Sequence, residues 1–248
     1  MFDIALYVEG ETCKRKNKNN VSGEFKRRIK GEVKRYGRMY KMTCRTLGPV
    51  ATNCYTVINE ETNEAILIDV TGKADSLLAA VREANAKVTA VLLTHAHFDH
   101  VDAVDVVREA YPDVKVYIGR NDERLLADPT LNLSLAFMGK PVSIKVDENI
   151  TDGDVLELIG LKIKCIEVPG HTIGGMCYYI ESLGVLFDGD TLFHSSVGRS
   201  DFPTGNAEDL LKNIEEKLFV LPDETKVFAG HDSETTIGRE KTNNYYFK

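Results

Sequence analysis

The stretch VTAVLLTHAHFDH, residues 88–100, constrains the fold more than any other part of the chain. Its first seven residues form an apolar run of strand length, and its last six hold three of the chain's six histidines and one aspartate. A strand leaving a core delivers its last residues to the rim of a sheet, where α/β scaffolds mount their chemistry. In extended chain, residues two apart face the same way, so His95, His97 and Asp99 converge while His100 opens the following helix from another side. Clustered imidazoles have little use in a core and disfavour one another's protonation. The block therefore reads as a metal site rather than as a helix N-terminus capped by Asp99. Imidazole and carboxylate suit zinc above all, with iron and manganese also fitting the ligand set, and the array suits two ions.

More ligands appear in similar settings. His171 in IEVPGHTIGG, Asp190 in GVLFDGDT and His231 in KVFAGHDSET each follow a short apolar run at a glycine-bordered turn. Singly these are ordinary turn sequences; in this order after HAHFDH they complete a set of seven metal ligands: His95, His97, Asp99, His100, His171, Asp190 and His231. The frame around them alternates. CYTVIN and AILIDV read as a hairpin, a helix follows from Asp75, and VTAVLLT, a helix over VDAVDVVREAY, and VKVYIG come next. DVLEL, LKIKCIEV, MCYYIE and GVLFDGD are closely spaced strands, followed by a helix from about Ala207 to Leu218 and a strand at TKVFAG. Two strand-rich halves, each with helices, predict an α/β fold of two packed sheets with helices outside, a four-layer αββα sandwich.

At 248 residues and 43% hydrophobic content the chain suits one principal domain. Five cysteines without a CxxC pair, no basic-then-apolar leader and no apolar run near the ~20 residues of a membrane span predict a soluble, cytoplasmic protein with reduced thiols and no membrane partner. Charge changes sign along the chain: residues 1–41 carry 12 Lys/Arg against 5 Asp/Glu, or +7, and residues 42–248 carry 19 against 33, or −14. The acidic body disfavours nucleic acid, and only the basic arm supports a nucleic-acid-associated or noncatalytic role. Residues 1–41 read as a disordered or dispensable extension, and Met42 as the start of the functional unit 42–248. Oligomeric state is not readable.

Asp69, the block His95/His97/Asp99/His100, His171, Asp190 and His231 resemble the five motifs of the metallo-β-lactamase superfamily over about residues 43–248. The resemblance implies that His95, His97 and His171 hold one metal, that Asp99, His100 and His231 hold the second, that Asp190 bridges and that Asp69 supports the site structurally. An aspartate at 190, where class B lactamases carry a different ligand, argues against antibiotic hydrolysis; His97, where flavodiiron oxidases carry Glu, argues against electron transfer. Within the superfamily, GPVATNCYTV, PGHT, DGDTLF, VGRSDFPTGN and ETTIGREK look like the short glyoxalase II-like (hydroxyacylglutathione hydrolase-like) hydrolases. Only 17 residues follow His231, where full-length glyoxalase II has a helical glutathione-binding domain, so the resemblance implies a thioester substrate and leaves its thiol part open. Ile173 and Asp232-Ser233 stand where Pro and Gly-Pro are common in the family. GRSDF also resembles persulfide dioxygenases, which use one iron.

The expected activity is hydrolysis of a small-molecule thioester or related ester by a hydroxide held between two ions, with Asp99 orienting it. Arg199 in VGRSD is a candidate clamp for a substrate carboxylate, the alternative being an ion pair with Asp201. His194 falls outside the ligand set, and Tyr178, Tyr179, Tyr245 and Tyr246 read as core or rim aromatics.

Overall fold

Hydrophobic alternation decides the layers. In a central pair of neighbouring strands, Ile66, Ile68, Ala90 and Leu92 point to one side and Leu67, Val91 and Leu93 to the other, and both sides are buried. A sheet with two apolar faces has to be covered twice. The computed structural model, which describes the backbone of residues 32–36 and all of residues 39–248, shows how.

One sheet holds β1 (Glu32–Tyr36), β2 (Tyr40–Leu47), β3 (Thr52–Asn59), β4 (Glu64–Ile68), β5 (Lys87–Leu92), β6 (Lys115–Gly119) and β7 (Glu148–Ile150), in that spatial order. It is antiparallel from β1 to β4 and parallel from β4 to β7. The second contains β8 (Val155–Leu158), β9 (Leu161–Glu167), β10 (Met176–Ile180) and β11 (Val185–Gly189). A small hairpin, β12 (Leu192–Phe193) and β13 (Ser196–Val197), precedes β14 (Lys226–Ala229) and β15 (Thr235–Thr236), and the second sheet is ordered β15-β14-β11-β10-β9-β8.

The sheets face each other through Tyr55, Val57, Ile66, Ile68 and Leu92 on one side and Ile163, Met176, Tyr178, Phe187 and Phe228 on the other. Outside the first sheet lie α1 (Asp75–Glu83), α2 (Phe98–Val101), α3 (Val104–Ala110) and α4 (Glu123–Ala127), whose Leu77, Leu78, Val81, Val101, Val104, Val107 and Leu125 pack with Leu67, Val91 and Leu93. After α5 (Ser134–Met138), the outer face of the second sheet is covered by α6 (Ala207–Asn213), the wide turn Ile214–Leu218 and α7 (Ile237–Asn243). These bring Leu210, Ile214, Leu218 and Ile237 against Ile166, Cys177, Leu186 and Val227. This is the expected αββα sandwich. Tyr178 and Tyr179 are core residues and Tyr245 and Tyr246 are exposed. Among the described residues no helix is long and apolar enough to cross a membrane.

Two expectations require correction. The single helix over residues 101–111 is broken into α2 and α3 because its groups bond elsewhere. The His100 carbonyl accepts from Val70 N–H at 2.9 Å, Ala103 N–H donates to the Val70 carbonyl at 3.3 Å, and Asp102 Oδ1 accepts from Gly72 N–H at 2.8 Å. The break thereby fastens His100 beside the loop after β4. The folded unit also starts ahead of Met42: β2 begins at Tyr40 and pairs with β1, five residues long. Tyr40 is buried and its hydroxyl donates to the Ile159 carbonyl at 3.2 Å, while the Met39 carbonyl accepts from Glu60 N–H at 2.8 Å. Residues 1–31 of the basic arm lie outside the described residues.

A chain beginning at Met42 is therefore expected to be less stable than one beginning at Met39 by about 3 kcal/mol, the usual loss for a buried aromatic side chain. Urea unfolding of the two chains checks this; midpoints corresponding to less than ~1 kcal/mol of difference would remove Tyr40 from the core account.

Candidate metal centre

The seven candidate ligands sit where four chain segments leave the two sheets on one rim. His95, His97, Asp99 and His100 follow β5 and enter α2; His171 lies between β9 and β10; Asp190 ends β11; His231 follows β14. Asp69, at the end of β4, sets the first of them. Its backbone is in the left-handed region at φ 53°, a conformation that favours glycine. The conformation turns the carboxylate under β5. Oδ1 accepts from Thr94 N–H at 2.8 Å, and Oδ2 accepts from Thr94 Oγ1 at 2.7 Å and from His100 Nδ1 at 2.8 Å.

These bonds fix which ring nitrogens face inward. His100 gives its Nδ1 proton to Asp69 and turns Nε2 into the centre, toward Asp99 and Asp190. The Thr94 hydroxyl gives its proton to Asp69, so it accepts from His95 Nδ1 at 3.1 Å, and His95 Nε2 is bare. His171 Nδ1 donates to the Arg199 carbonyl at 2.6 Å, leaving its Nε2 bare. That Nε2 lies 3.2 Å from His95 Nε2 and 2.9 Å from His97 Nδ1. Asp190 spans the space between two groups, with Oδ1 3.5 Å from His100 Nε2 and Oδ2 3.4 Å from His231 Nε2 and 3.7 Å from His171 Nε2. Asp99 Oδ2 lies 3.4 Å from His100 Nε2 and 3.3 Å from His231 Nε2, and accepts from Thr52 Oγ1 at 2.9 Å.

Three overlapping groups result among the described residues: His95/His97/His171, His95/His100/Asp190 and Asp99/His100/His231, each with ligand atoms within 4.8 Å of one another. The residues fit divalent metal ions on a direct observation. His100 Nε2 and Asp190 Oδ1 are buried polar atoms without a hydrogen-bond partner, 3.5 Å apart, and the nitrogens His95 Nε2, His171 Nε2 and His97 Nδ1 face one another. Electrostatics divides the imidazoles: burial works against the charged form of each, but Asp99, Asp69 and Asp190 hold His100 well above the ordinary range, and Asp190 and Asp99 hold His231 at about 10. Burial, then the neighbouring charges of His100, His171 and His97, hold His95 well below the ordinary imidazole range. Burial and His171 bring His97 down to about 3. Burial works against the charged form of Asp190 too, but His100 and His231 outweigh it and keep the carboxyl at about 2.

The rest of the rim is tied across the sandwich. Asn53 Nδ2 donates to the Ala229 and Asp232 carbonyls at 3.1 and 3.0 Å, and Tyr55 OH donates to the Ala229 carbonyl at 2.6 Å, so β3 steadies the turn carrying His231. Gly230 is needed there because a Cβ would come 2.3 Å from Asp190 Oδ1 and 2.7 Å from His100 Cε1. Thr52 and Asn53 were missed as site residues, although they stand in the quoted GPVATNCYTV. Phe98, Phe137 and Phe202 were missed too: Phe137 stacks on Phe98 at 5.7 Å, meets Phe202 edge-on at 5.9 Å, and Phe202 meets the His97 ring at 5.8 Å. They make an aromatic wall beside the three-histidine group.

Of the two readings of Arg199, the structure shows the ion pair with Asp201. Its Nε and Nη2 donate to both Asp201 carboxylate oxygens at 2.8 and 2.7 Å, and its guanidinium lies 3.7 Å from the Phe202 ring centroid. The fork is already filled, on the exposed rim. What Arg199 gives the centre is its carbonyl, which orients His171. His194 is exposed at the β12–β13 turn, outside every ligand group among the described residues.

Fold and site together define an αββα protein with His/Asp groups able to hold metal ions at its strand ends. The family model of the Metallo-beta-lactamase superfamily matches residues 47–231, and the chain belongs to that superfamily. It is 36% identical over 199 residues to the probable metallo-hydrolase YqgX of Bacillus subtilis, covering 80% of this chain and 93% of the relative. It is 34% identical over 198 residues to the hydroxyacylglutathione hydrolase GloC of Haemophilus influenzae, covering 77% and 91%. Among solved structures it resembles the BLEG-1 B3 metallo-beta-lactamase, with TM-score 0.79 and 36% identity over 84% of this chain and 99% of the other. The di-iron-bound form of TTHA1623 gives 0.72 and 34% over 82% and 98%. ETHE1 from Myxococcus xanthus gives 0.65 and 30% over 82% and 83%.

His97→Ala and Asp190→Ala are each expected to lower metal content and leave the metal-free fold intact. His97→Ala removes a buried imidazole held at about 3, so its metal-free thermal stability is expected within about 1 kcal/mol of the parent or above it, whereas Asp190→Ala removes a carboxylate that His100 and His231 hold ionised and is expected to lower it. Metal analysis and thermal unfolding of the metal-free chains check this; full metal content in either variant would contradict the assignment.

Proposed function

We propose that this chain hydrolyses a thioester, or a related ester, of a small molecule with two divalent metal ions, zinc first among them. The observation that carries the reading is that two complete ligand groups, His95/His97/His171 and Asp99/His100/His231, meet at Asp190. A single ion uses four to six ligands at most in such sites, and seven are present. The relative named hydroxyacylglutathione hydrolase supports the thioester class, and the di-iron-bound neighbour supports two ions.

When bound, paired ions supply a water of lowered pKa and a polarised carbonyl. The chain's own groups do the rest. Asp99, its Oδ2 steadied by Thr52, is placed to orient the attacking water. Asp69 and the Arg199 carbonyl hold His100 and His171 with Nε2 turned into the centre. The aromatic wall of Phe98, Phe137 and Phe202 keeps bulk water from the His97 side. His231, with 22% of its side chain exposed, faces solvent more than Asp99 at 9% or Asp190 at 13%.

Likeness to ETHE1 favours a second reading, one iron and persulfide oxidation. The likeness to a B3 metallo-beta-lactamase, at 36% identity, keeps β-lactams among the substrates to be tested. A panel of thioester, lactone, persulfide and β-lactam substrates on protein of known metal content decides among them. The expected result is two ions per chain and thioester hydrolysis lost to a chelator and restored by zinc or manganese. One iron per chain with persulfide-dependent oxygen uptake would replace this reading with the second.

A further inference from the structure

Asp122 is fully buried and takes no part in the chemistry described above. It stands in the short turn after β6, in GRNDERLL, where the sequence looks like a solvated charged run. Its carboxylate instead reaches two separate segments. Oδ2 accepts from Ala96 N–H at 3.0 Å and from Thr172 Oγ1 at 2.8 Å, and Oδ1 accepts from Gly174 N–H at 2.6 Å. Ala96 lies between His95 and His97; Thr172 and Gly174 directly follow His171. The contact is backbone-close: a Cβ on Gly174 would come 2.4 Å from Asp122 N, and one on Gly119 would come 2.3 Å from the Gly174 carbonyl. All three ligands of one candidate ion therefore come from the two segments that this carboxylate ties together.

We infer that Asp122 is the positioning residue of the three-histidine ion, setting the gap between the His95/His97 turn and the His171 turn. The inference rests on the two-ion reading above. Its specificity follows from the other group's separate supports. Asp99 is held by Thr52, His100 by Asp69, and the His231 turn by Asn53 and Tyr55. An isolated buried carboxylate is costly to keep without a counter-charge, and three donors aligned on it mean that its shape, as well as its charge, is used. An amide in its place has one acceptor oxygen, so Asp122→Asn turns an NH2 group against either the Ala96 or the Gly174 N–H.

The test is titration of the metal-free full chain with zinc against a competing chelator, in the parent, Asp122→Asn and Thr172→Val, with metal-free thermal unfolding as the measure of fold. Asp122→Asn is expected to weaken one ion by ~10–100-fold, the usual cost of losing a group that orients metal ligands, and to leave the other unchanged. Thr172→Val removes one of the three bonds, and is expected to shift the same ion by less; it carries the test if Asp122→Asn unfolds. In a His97→Ala background, where the three-histidine group is already broken, Asp122→Asn is expected to add nothing. Equal weakening of both ions, no weakening of either, or a full effect in the His97→Ala background would overturn the assignment. A parent chain that takes up a single ion would overturn the two-ion reading instead, and the assignment would then stand only if Asp122→Asn weakened that ion.

Discussion

The molecule is organised around a buried cluster of imidazoles and carboxylates at one rim of the sandwich. Imidazole nitrogens and carboxylate oxygens from four segments are brought within a few ångströms of one another, with the Nε2 atoms of His95 and His171 turned face to face at 3.2 Å. In the three-histidine group burial and the neighbouring rings hold His95 and His97 below the ordinary imidazole range, and those crowded nitrogens gain from an added cation in a low-dielectric interior. The frame must therefore hold the side chains in place, and much of the hydrogen bonding at this rim does that. The Asp69 carboxylate directs both Thr94 and His100, and through Thr94 it also settles His95.

The two sheets make this frame stiff. Their facing apolar sides lock the strand positions, while Asn53 and Tyr55 of β3 reach across to the end of β14. Helices outside the first sheet matter as well, because the break between α2 and α3 is what leaves His100 bonded to the loop after β4. Fold and site are thus one construction. A strand shifted by one residue would invert its faces and also carry its ligand away from the rim.

Much of this was legible in the sequence because it obeys short periods. Alternation in AILIDV and VTAVLLT, and the two-residue spacing of His95, His97 and Asp99, depend only on local geometry. Asp122, Thr52 and Asn53 were not legible from the residues alone, since their roles exist only toward partners 26 to 179 positions away. Arg199 shows a different limit: residue type identified the fork, and only the structure shows that Asp201, two positions on, fills it. The change of charge near residue 41 proved a poor marker of where folding starts. β1 reads EVKRY, a composition that suits the edge of a sheet as well as a solvated arm.

The central claim is that the seven side chains hold two ions as neighbours around Asp190. X-ray absorption of the chain loaded with two equivalents of zinc tests it most directly. The account gives a nitrogen- and oxygen-bound zinc with imidazole scattering and a metal–metal path at ~3.5–4 Å, the spacing of two-metal hydrolytic sites. Zinc bound by imidazole with no metal–metal path, at one ion per chain, would contradict it.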